Sequence, residues 1–141
     1  MNYRIEQDFL GELKIPHDAY YGVHTARALA NFNLPNYHLT HNYLIQGFAK
    51  VKIAAANANY RTGKINSETC KAIIFACEQI LAGKYLDQFT IPAIQGGAGT
   101  STNMNANEVI ANIALEHLGY EKGRYDVLHP INHVNMSQST N

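Results

Sequence analysis

Apolar residues recur at helical spacing in three stretches of the chain, and each stretch predicts a long helix. In the first, residues 41–60, alanines favour a helix and apolar side chains follow the i, i+4, i+7, i+11 rhythm of one face. That face consists of Leu44, Phe48, Val51 and Ala55. We expect this face to pack against a neighbouring element, and Gly63 to end the helix.

The second and third stretches carry clearer boundaries. Asn66 or Ser67 can cap a helix that Gly83 stops, and its apolar positions follow one face. These positions are Cys70, Ile73, Ile74, Cys77, Ile80 and Leu81. The third helix is predicted over residues 102–118, with Gly119 after its last turn. Its inward positions are Val109, Ile110, Ile113 and Ala114.

The N-terminal segment shows a different period. Residues 3–15 alternate weakly between apolar and polar side chains around Leu10-Gly11, which predicts a short β-hairpin that Pro16 ends. Thr25 can cap a short helix over residues 26–31. At 141 residues the chain fits one domain with a sizeable core. The predicted fold class is therefore mainly α, with a short N-terminal β-hairpin.

Composition narrows the class of protein. The chain is 46% hydrophobic and 16% charged, which excludes a disordered chain. Its eleven basic and eleven acidic residues balance, and there is no basic stripe for nucleic acid. Apolar runs are too short to cross a bilayer, and no signal-peptide pattern opens the sequence. We therefore expect a cytoplasmic protein that binds neither nucleic acid nor membrane.

A glycine-rich loop leads into the third helix and is the strongest candidate for chemistry. Residues 95–105 read QGGAGTSTNMN. Glycine lets a ligand approach the backbone, and a helix N-terminus offers N–H groups and a partial positive charge. The loop therefore suits a carboxylate or phosphate, with an ordinary turn and cap as the equal alternative. It is neither a P-loop nor a dinucleotide fingerprint.

A second polar cluster, Ser139-Thr140-Asn141, lies in the tail and has the pattern of a helix start. The first cluster comprises Thr100, Ser101, Thr102 and Asn103. Neutral donors of this kind suit a carboxylate, or the doubly negative aci-carboxylate formed when the adjacent carbon loses a proton. Plain helix capping is the alternative. No carboxylate pair or nucleophile motif stands out, so the residues alone identify no general base.

The histidines and cysteines do not indicate a metal site. His129 and His133 are four residues apart, but Pro130 argues against a helix that would bring them together. We interpret them as solvated loop histidines, or His129 as a contact to a carboxylate. Cys70 and Cys77 lie two helical turns apart, too far for a disulfide, and are expected as reduced core residues. We predict no metal and no cofactor.

Several segments of the chain resemble the fumarase/aspartase superfamily. Residues 95–112, QGGAGTSTNMNANEVIAN, are similar to its first signature block, and residues 133–141, HVNMSQSTN, to its second. RIEQDFLG at 4–11 and DAYYGVHT at 18–25 resemble its opening hairpin and turn. Within the superfamily, GGAGTS and DAYYGVHT are similar to aspartate ammonia-lyases. Class II fumarases usually carry Thr-Gly-Ser-Gly-Thr and an early tryptophan, which this chain lacks.

The resemblance implies that residues 1–141 form the N-terminal helical domain of an L-aspartase-like fold, before a central helical bundle. It implies a homotetramer that reversibly eliminates ammonia from L-aspartate, giving fumarate through an aci-carboxylate. Thr100 would contact the substrate, and Ser139, Thr140 and Asn141 would bind its carboxylate and amino groups. Further candidates are Ser101, Thr102 and Asn103, which would shape the loop, and His129.

Two departures from the family pattern matter. The family's catalytic serine loop and its Thr-His pair are not in this sequence, so we assign no catalytic residue here and expect the chain alone to be inactive. Ile131 stands where the family usually has Asn, which weakens a second anion site at His129. We expect the front of a longer aspartate ammonia-lyase, with apolar surface exposed on the helices at 41–60 and 102–118. A class II fumarase fragment and a short non-catalytic binding or assembly module are the alternatives.

Overall fold

A layer of three long helices forms the centre of the molecule. The computed structural model describes residues 2–139. Helix α2 spans Asn42–Arg61, α3 spans Ser67–Leu81 and α4 spans Thr100–His117, and α3 packs against both of the others. The predicted fold class is confirmed, because the described part of the chain is mainly helical with one two-stranded hairpin.

The hairpin lies at the N-terminus, as predicted. Strand β1 (Tyr3–Asp8) pairs antiparallel with β2 (Gly11–Pro16), and Asp8 lies opposite Gly11 at the turn. Gly11 has φ +111°, a backbone conformation that other residues rarely adopt. The turn is closed further by the N–H of Leu10, which donates to Asp8 Oδ1 at 2.9 Å.

Helix α3 follows its sequence pattern closely. The side chain of Asn66 accepts a hydrogen bond from the N–H of Thr69 at 2.8 Å and so caps the helix. Gly83, at φ +86°, follows its last turn. Four of the predicted inward residues are buried: Cys70, Ile73, Cys77 and Ile80. Both cysteines are buried and unbridged, which confirms their interpretation as reduced core residues.

Helix α2 has the predicted extent but the wrong predicted face. Leu44 and Val51 are 54% and 58% exposed. The buried positions are Ile45, Ala49, Lys52, Ala56 and Asn59. The error has a physical reason: the helix is apolar on two sides, and its true inward face includes a lysine and an asparagine that a hydrophobic pattern does not reveal. The expected exposed apolar surface on this helix is therefore confirmed.

Helix α4 is buried on all sides over most of its length. It begins at Thr100, two residues earlier than predicted, after Gly99 in the left-handed conformation at φ +71°. Every position from Met104 to Leu115 is buried, including Asn105, Asn107 and Asn112. The expectation that this helix exposes apolar surface is wrong, because α1, α2, α3 and the tail all pack on it.

Helix α1 (Val23–Asn31) begins earlier than predicted, and Thr25 lies inside it rather than at its cap. Two buried carboxylates hold its start instead. Glu108 accepts from the N–H groups of Gly22, His24 and Thr25 at 2.8–3.1 Å, and Glu6 accepts from Val23 N–H at 2.8 Å. Negative charge at a helix N-terminus is favourable, so this arrangement replaces an ordinary side-chain cap.

The connecting segments contain two short helical turns, a 3₁₀ turn at Leu86–Gln88 and a π-helical turn at Pro130–Val134. Pro130 was expected to argue against a helix here, but it is the first residue of this turn, where a residue needs no N–H for an intrahelical bond. None of the described helices combines the length and apolar character that crossing a membrane requires.

Candidate functional site

Asn103 from the first polar cluster and Ser139 from the second come together in the structure. Asn103, in the first turn of α4, donates from Nδ2 to Ser139 Oγ at 3.0 Å and to Asn135 Oδ1 at 3.1 Å. Asn135 in turn donates from Nδ2 to the backbone oxygen of Ser139 at 2.9 Å. Hydrogen bonds between side chains thus fix the tail beside the start of α4.

Lys52 lies at the centre of this contact. Its Nζ donates to Asn103 Oδ1 at 2.9 Å, to Asn135 Oδ1 at 3.0 Å and to Gln138 Oε1 at 2.8 Å. The residue is 2% exposed, and burial lowers the pKa of its amine to about 8. We call Lys52, Asn103, Asn135, Gln138 and Ser139 the amide network. It joins α2, α4 and the tail.

Gln95 closes the glycine-rich loop onto α4. Its Oε1 accepts from the N–H of Thr102 at 3.2 Å, and its Nε2 donates to the Thr102 hydroxyl. The N–H groups of Thr100 and Ser101 belong to the first turn, where helix geometry supplies no intrahelical partner. The loop therefore presents a helix start whose third N–H is already used and whose first two are oriented outward along the axis.

The predicted site residues occupy different positions around this loop. Thr100 is exposed at the first position of α4, and Ser101 is half-buried beside it. Thr102 is buried against Gln95, and Asn103 belongs to the amide network. Their expected role in shaping the loop stays a prediction. Ser139 is exposed and held by Asn103. Thr140 and Asn141 lie outside the described residues.

His129 caps the π-helical turn. Its Nδ1 accepts from the N–H groups of Ile131 and Asn132 at 3.0 and 3.2 Å. His133 Nδ1 accepts from the N–H of His129 at 2.8 Å. Burial lowers the pKa of both imidazoles, which favours the neutral rings that can accept these bonds. The interpretation as solvated loop histidines is therefore wrong; a contact of His129 with a carboxylate stays a prediction.

An open depression of about 550 Å³ lies along the tail beside the amide network. Its lining residues are Ile131, Asn132, Asn135, Met136, Ser137, Gln138 and Ser139. Within residues 2–139, no three His, Cys, Asp or Glu side chains come close enough together to hold a metal ion. Two of the lining residues, Asn135 and Gln138, contact the buried ammonium of Lys52, and a cation behind a neutral lining favours an anion at this surface.

A family model described as Lyase matches residues 11–141. The chain belongs to this lyase family. Aspartate ammonia-lyase of Corynebacterium glutamicum is 55% identical over 141 residues, covering 99% of this chain and 27% of that protein. Aspartate ammonia-lyase of Escherichia coli K12 is 51% identical over 142 residues, covering 99% of this chain and 30% of that protein. This lyase chain thus spans less than a third of the curated relatives it matches.

Solved structures of the family share the fold. A fumarate lyase:delta crystallin from Brucella melitensis matches with a TM-score of 0.93 and 51% identity, over 99% of this chain and 33% of that one. A recombinant class II fumarase from Schistosoma mansoni matches with a TM-score of 0.89 and 36% identity, over 98% of this chain and 29% of that one. The resemblance to the fumarase/aspartase superfamily is confirmed.

Sequence reasoning missed three polar residues that organise this lyase chain. Lys52, Glu6 and Glu108 are all buried. Lys52 lies seven residues after Ile45 and four before Ala56, which is helical spacing on one face. A correct assignment of the inward face of α2 would therefore have predicted that Lys52 is buried. Glu6 and Glu108 come from opposite ends of the chain and both accept hydrogen bonds from the start of α1, which neither local pattern nor spacing indicates.

Proposed function

We propose that the protein to which this chain belongs is an aspartate ammonia-lyase, which eliminates ammonia from L-aspartate to give fumarate. The observation that carries the proposal is that Asn103 and Ser139, one from each polar cluster, meet in one amide network, which holds the tail beside the start of α4. The names of the relatives that are 51–55% identical support it.

The proposed chemistry begins with removal of a proton from Cβ of L-aspartate by a base. Negative charge then develops on the adjacent carboxylate, and donors fixed before the reaction stabilise that charge without reorganising. We expect Thr100, together with the N–H groups at the start of α4, to contribute such donors. Ser139, Thr140 and Asn141 would bind the remaining carboxylate and the amino group. We assign the base to no described residue.

We also propose that the complete protein is a homotetramer. The exposed apolar positions of α2, Leu44 and Val51, support an assembly that covers them. Its expected cytoplasmic location stays a prediction, as does the assignment of residues 1–141 to an N-terminal domain.

The test uses the complete protein, expressed from its own gene and assayed for fumarate formed from L-aspartate. Thr100→Val should lower kcat/KM by about 10-fold or more, the loss expected for one hydrogen bond to a charged group. Thr62→Val, at the exposed end of α2, is the matched control and should leave turnover unchanged.

The alternative activity is that of a class II fumarase, favoured by the likeness to the Schistosoma mansoni structure. Turnover of malate without turnover of aspartate would select it. Turnover of neither substrate, in a protein that is folded, would overturn both activities and leave the non-catalytic binding or assembly module.

A further inference from the structure

The three hydrogen bonds of Lys52 specify its charged form. An ammonium carries three N–H donors and no acceptor, whereas a neutral amine keeps two donors and one lone pair. Lys52 faces three amide oxygens, those of Asn103, Asn135 and Gln138. A neutral amine would point its lone pair at one of these oxygens, so only the ammonium satisfies the whole arrangement.

The charge of Lys52 is not balanced inside the described part of the chain. No ion pair of Lys52 occurs there. The groups that face it from α4 and the tail are neutral amides, and the titratable group that faces it from α3 is the thiol of Cys77. Burial raises the pKa of that thiol to about 12, so the thiol is neutral as well.

An unbalanced buried cation is expensive. Removing an ammonium from water costs several kcal/mol unless a counter-charge or hydrogen bonds compensate, and an apolar side chain of similar volume is often better for stability. The three hydrogen bonds of Lys52 compensate part of this cost, but they supply no counter-charge. A negative charge that arrives from outside the described residues would compensate more of it.

The amide network leads from Lys52 to the surface. Lys52 Nζ donates to Asn103 Oδ1, and Asn103 Nδ2 donates to Ser139 Oγ. Because Ser139 Oγ accepts from Asn103, one of its lone pairs faces the network. These hydrogen bonds therefore form a continuous path from the ammonium of Lys52 to the exposed Ser139, and each bond polarises the next.

We propose that Lys52 is a positioning residue whose positive charge favours binding of the dicarboxylate substrate. It acts through Asn103 and Asn135, which lie between its ammonium and the surface. This rests on the proposed function. Lys52 touches neither substrate nor product. It orients the two amides that hold the tail against the start of α4, and its field favours a dianion above them.

The test measures the inhibition constant of succinate on the complete protein. Succinate is a dicarboxylate without the amino group of the substrate, so neither of its carboxylates titrates at alkaline pH. For the wild-type protein, binding should be constant below pH 8 and weaken as pH rises through about 8, where Lys52 loses its proton. Lys52→Met should weaken succinate binding by about 10-fold or more and remove this alkaline limb.

Lys50→Met is the matched control, since it removes a cation from the exposed face of the same helix. It should keep both the affinity and the pH profile of the wild type. The KM for L-aspartate should rise in Lys52→Met by more than kcat falls, because the charge acts on binding.

The outcomes separate the two proposals. Succinate affinity and pH profile unchanged in Lys52→Met, with aspartate still turned over, would overturn the role of Lys52 alone. A wild-type protein that neither turns over aspartate nor binds succinate would overturn the proposed function and this inference with it. If Lys52→Met does not fold, Lys52→Gln takes its place, because it removes the charge but keeps a side chain that can donate hydrogen bonds. Succinate affinity equal to that of the wild type in this variant would contradict the proposal.

Discussion

Gly22 is required for space rather than for backbone freedom. Its φ of −123° suits any residue, but a Cβ there would lie 2.5 Å from Glu6 Oε2 and 2.6 Å from the Tyr125 hydroxyl. Gly22→Ala should therefore force apart the groups that hold the start of α1. We expect a loss of about 1–3 kcal/mol in the free energy of unfolding, measured by urea denaturation.

Gly47→Ala is the matched control for this substitution. Gly47 lies inside α2, and a Cβ there meets nothing within 4 Å. Replacing a helical glycine by alanine should stabilise the chain by about 0.5–1 kcal/mol. Equal effects at the two positions would contradict the steric explanation.

Lys52 also makes the free energy of unfolding depend on pH. This free energy should rise with pH, whereas the affinity for succinate should fall. Its amine titrates at about 8 in the folded chain against 10.5 in the unfolded one. Between these values the unfolded state binds more protons, so the free energy of unfolding rises with pH. Relative to Lys52→Met, the wild type should gain about 3 kcal/mol at most over this range. Because both proteins contain the same other titrating groups, the contributions of those groups cancel in the comparison. A difference in unfolding free energy that falls as pH rises would contradict the lowered pKa of Lys52.

At the scale of the elements, the cap of α3 gives a direct test. Asn66 accepts from the N–H of Thr69, and Asn66→Ala leaves that N–H without its partner. We expect a loss of about 1 kcal/mol, measured by thermal and chemical denaturation. Ser67→Ala, one residue later and not the cap, should cost much less. A larger effect at Ser67 would show that the helix begins elsewhere.

The outward face of α2 provides a second test at this level, which concerns self-association of the chain. Leu44 and Val51 are more than half exposed on it. Such a face favours association, so we expect the 141-residue chain to self-associate in solution. Leu44→Gln with Val51→Gln should shift light scattering toward the monomer while leaving the melting temperature nearly unchanged. A monomeric wild-type chain would contradict the expectation.

These elements also show how far the sequence could predict the fold. The apolar face of α3 and the residues that begin and end it are close together in sequence. Their spacing was therefore enough to predict this helix. In α2 the alanines make two faces similarly apolar. The buried face contains Lys52, so a search for apolar residues does not identify that face. In α4 the buried amides of Asn107 and Asn112 break the hydrophobic period. The cap of α1 comes from Glu108, which no neighbouring residue indicates.

The candidate site could be predicted only in part, for a related reason. Residue type and the pattern of helix starts predicted that both polar clusters could donate hydrogen bonds to an anion. Their meeting depends on Asn103, Asn135 and Lys52, which come from three separate segments. Long-range hydrogen bonds of this kind are set by packing, so a single sequence gives no local sign of them.

For the molecule as a whole, we predict that the 141-residue chain alone has no ammonia-lyase activity. Thr100 and Ser139 are proposed as binding groups only, and we place no base among the described residues. The measurement is fumarate formation from L-aspartate by the purified chain. A heat-inactivated sample of the same chain serves as the control. Activity above that control would show that the chain contains a complete active site.

The order in which a ribosome makes this chain differs from the order in which its parts can become fixed. Thr25 and Glu108, which join through a 2.6 Å hydrogen bond, are 83 residues apart. At about 5–20 residues per second, roughly 4–17 s pass between their syntheses. Through that interval α1 has no carboxylate from α4 to hold its start, and it is accessible to chaperones and proteases. The N-terminal helix is synthesised first and secured among the last.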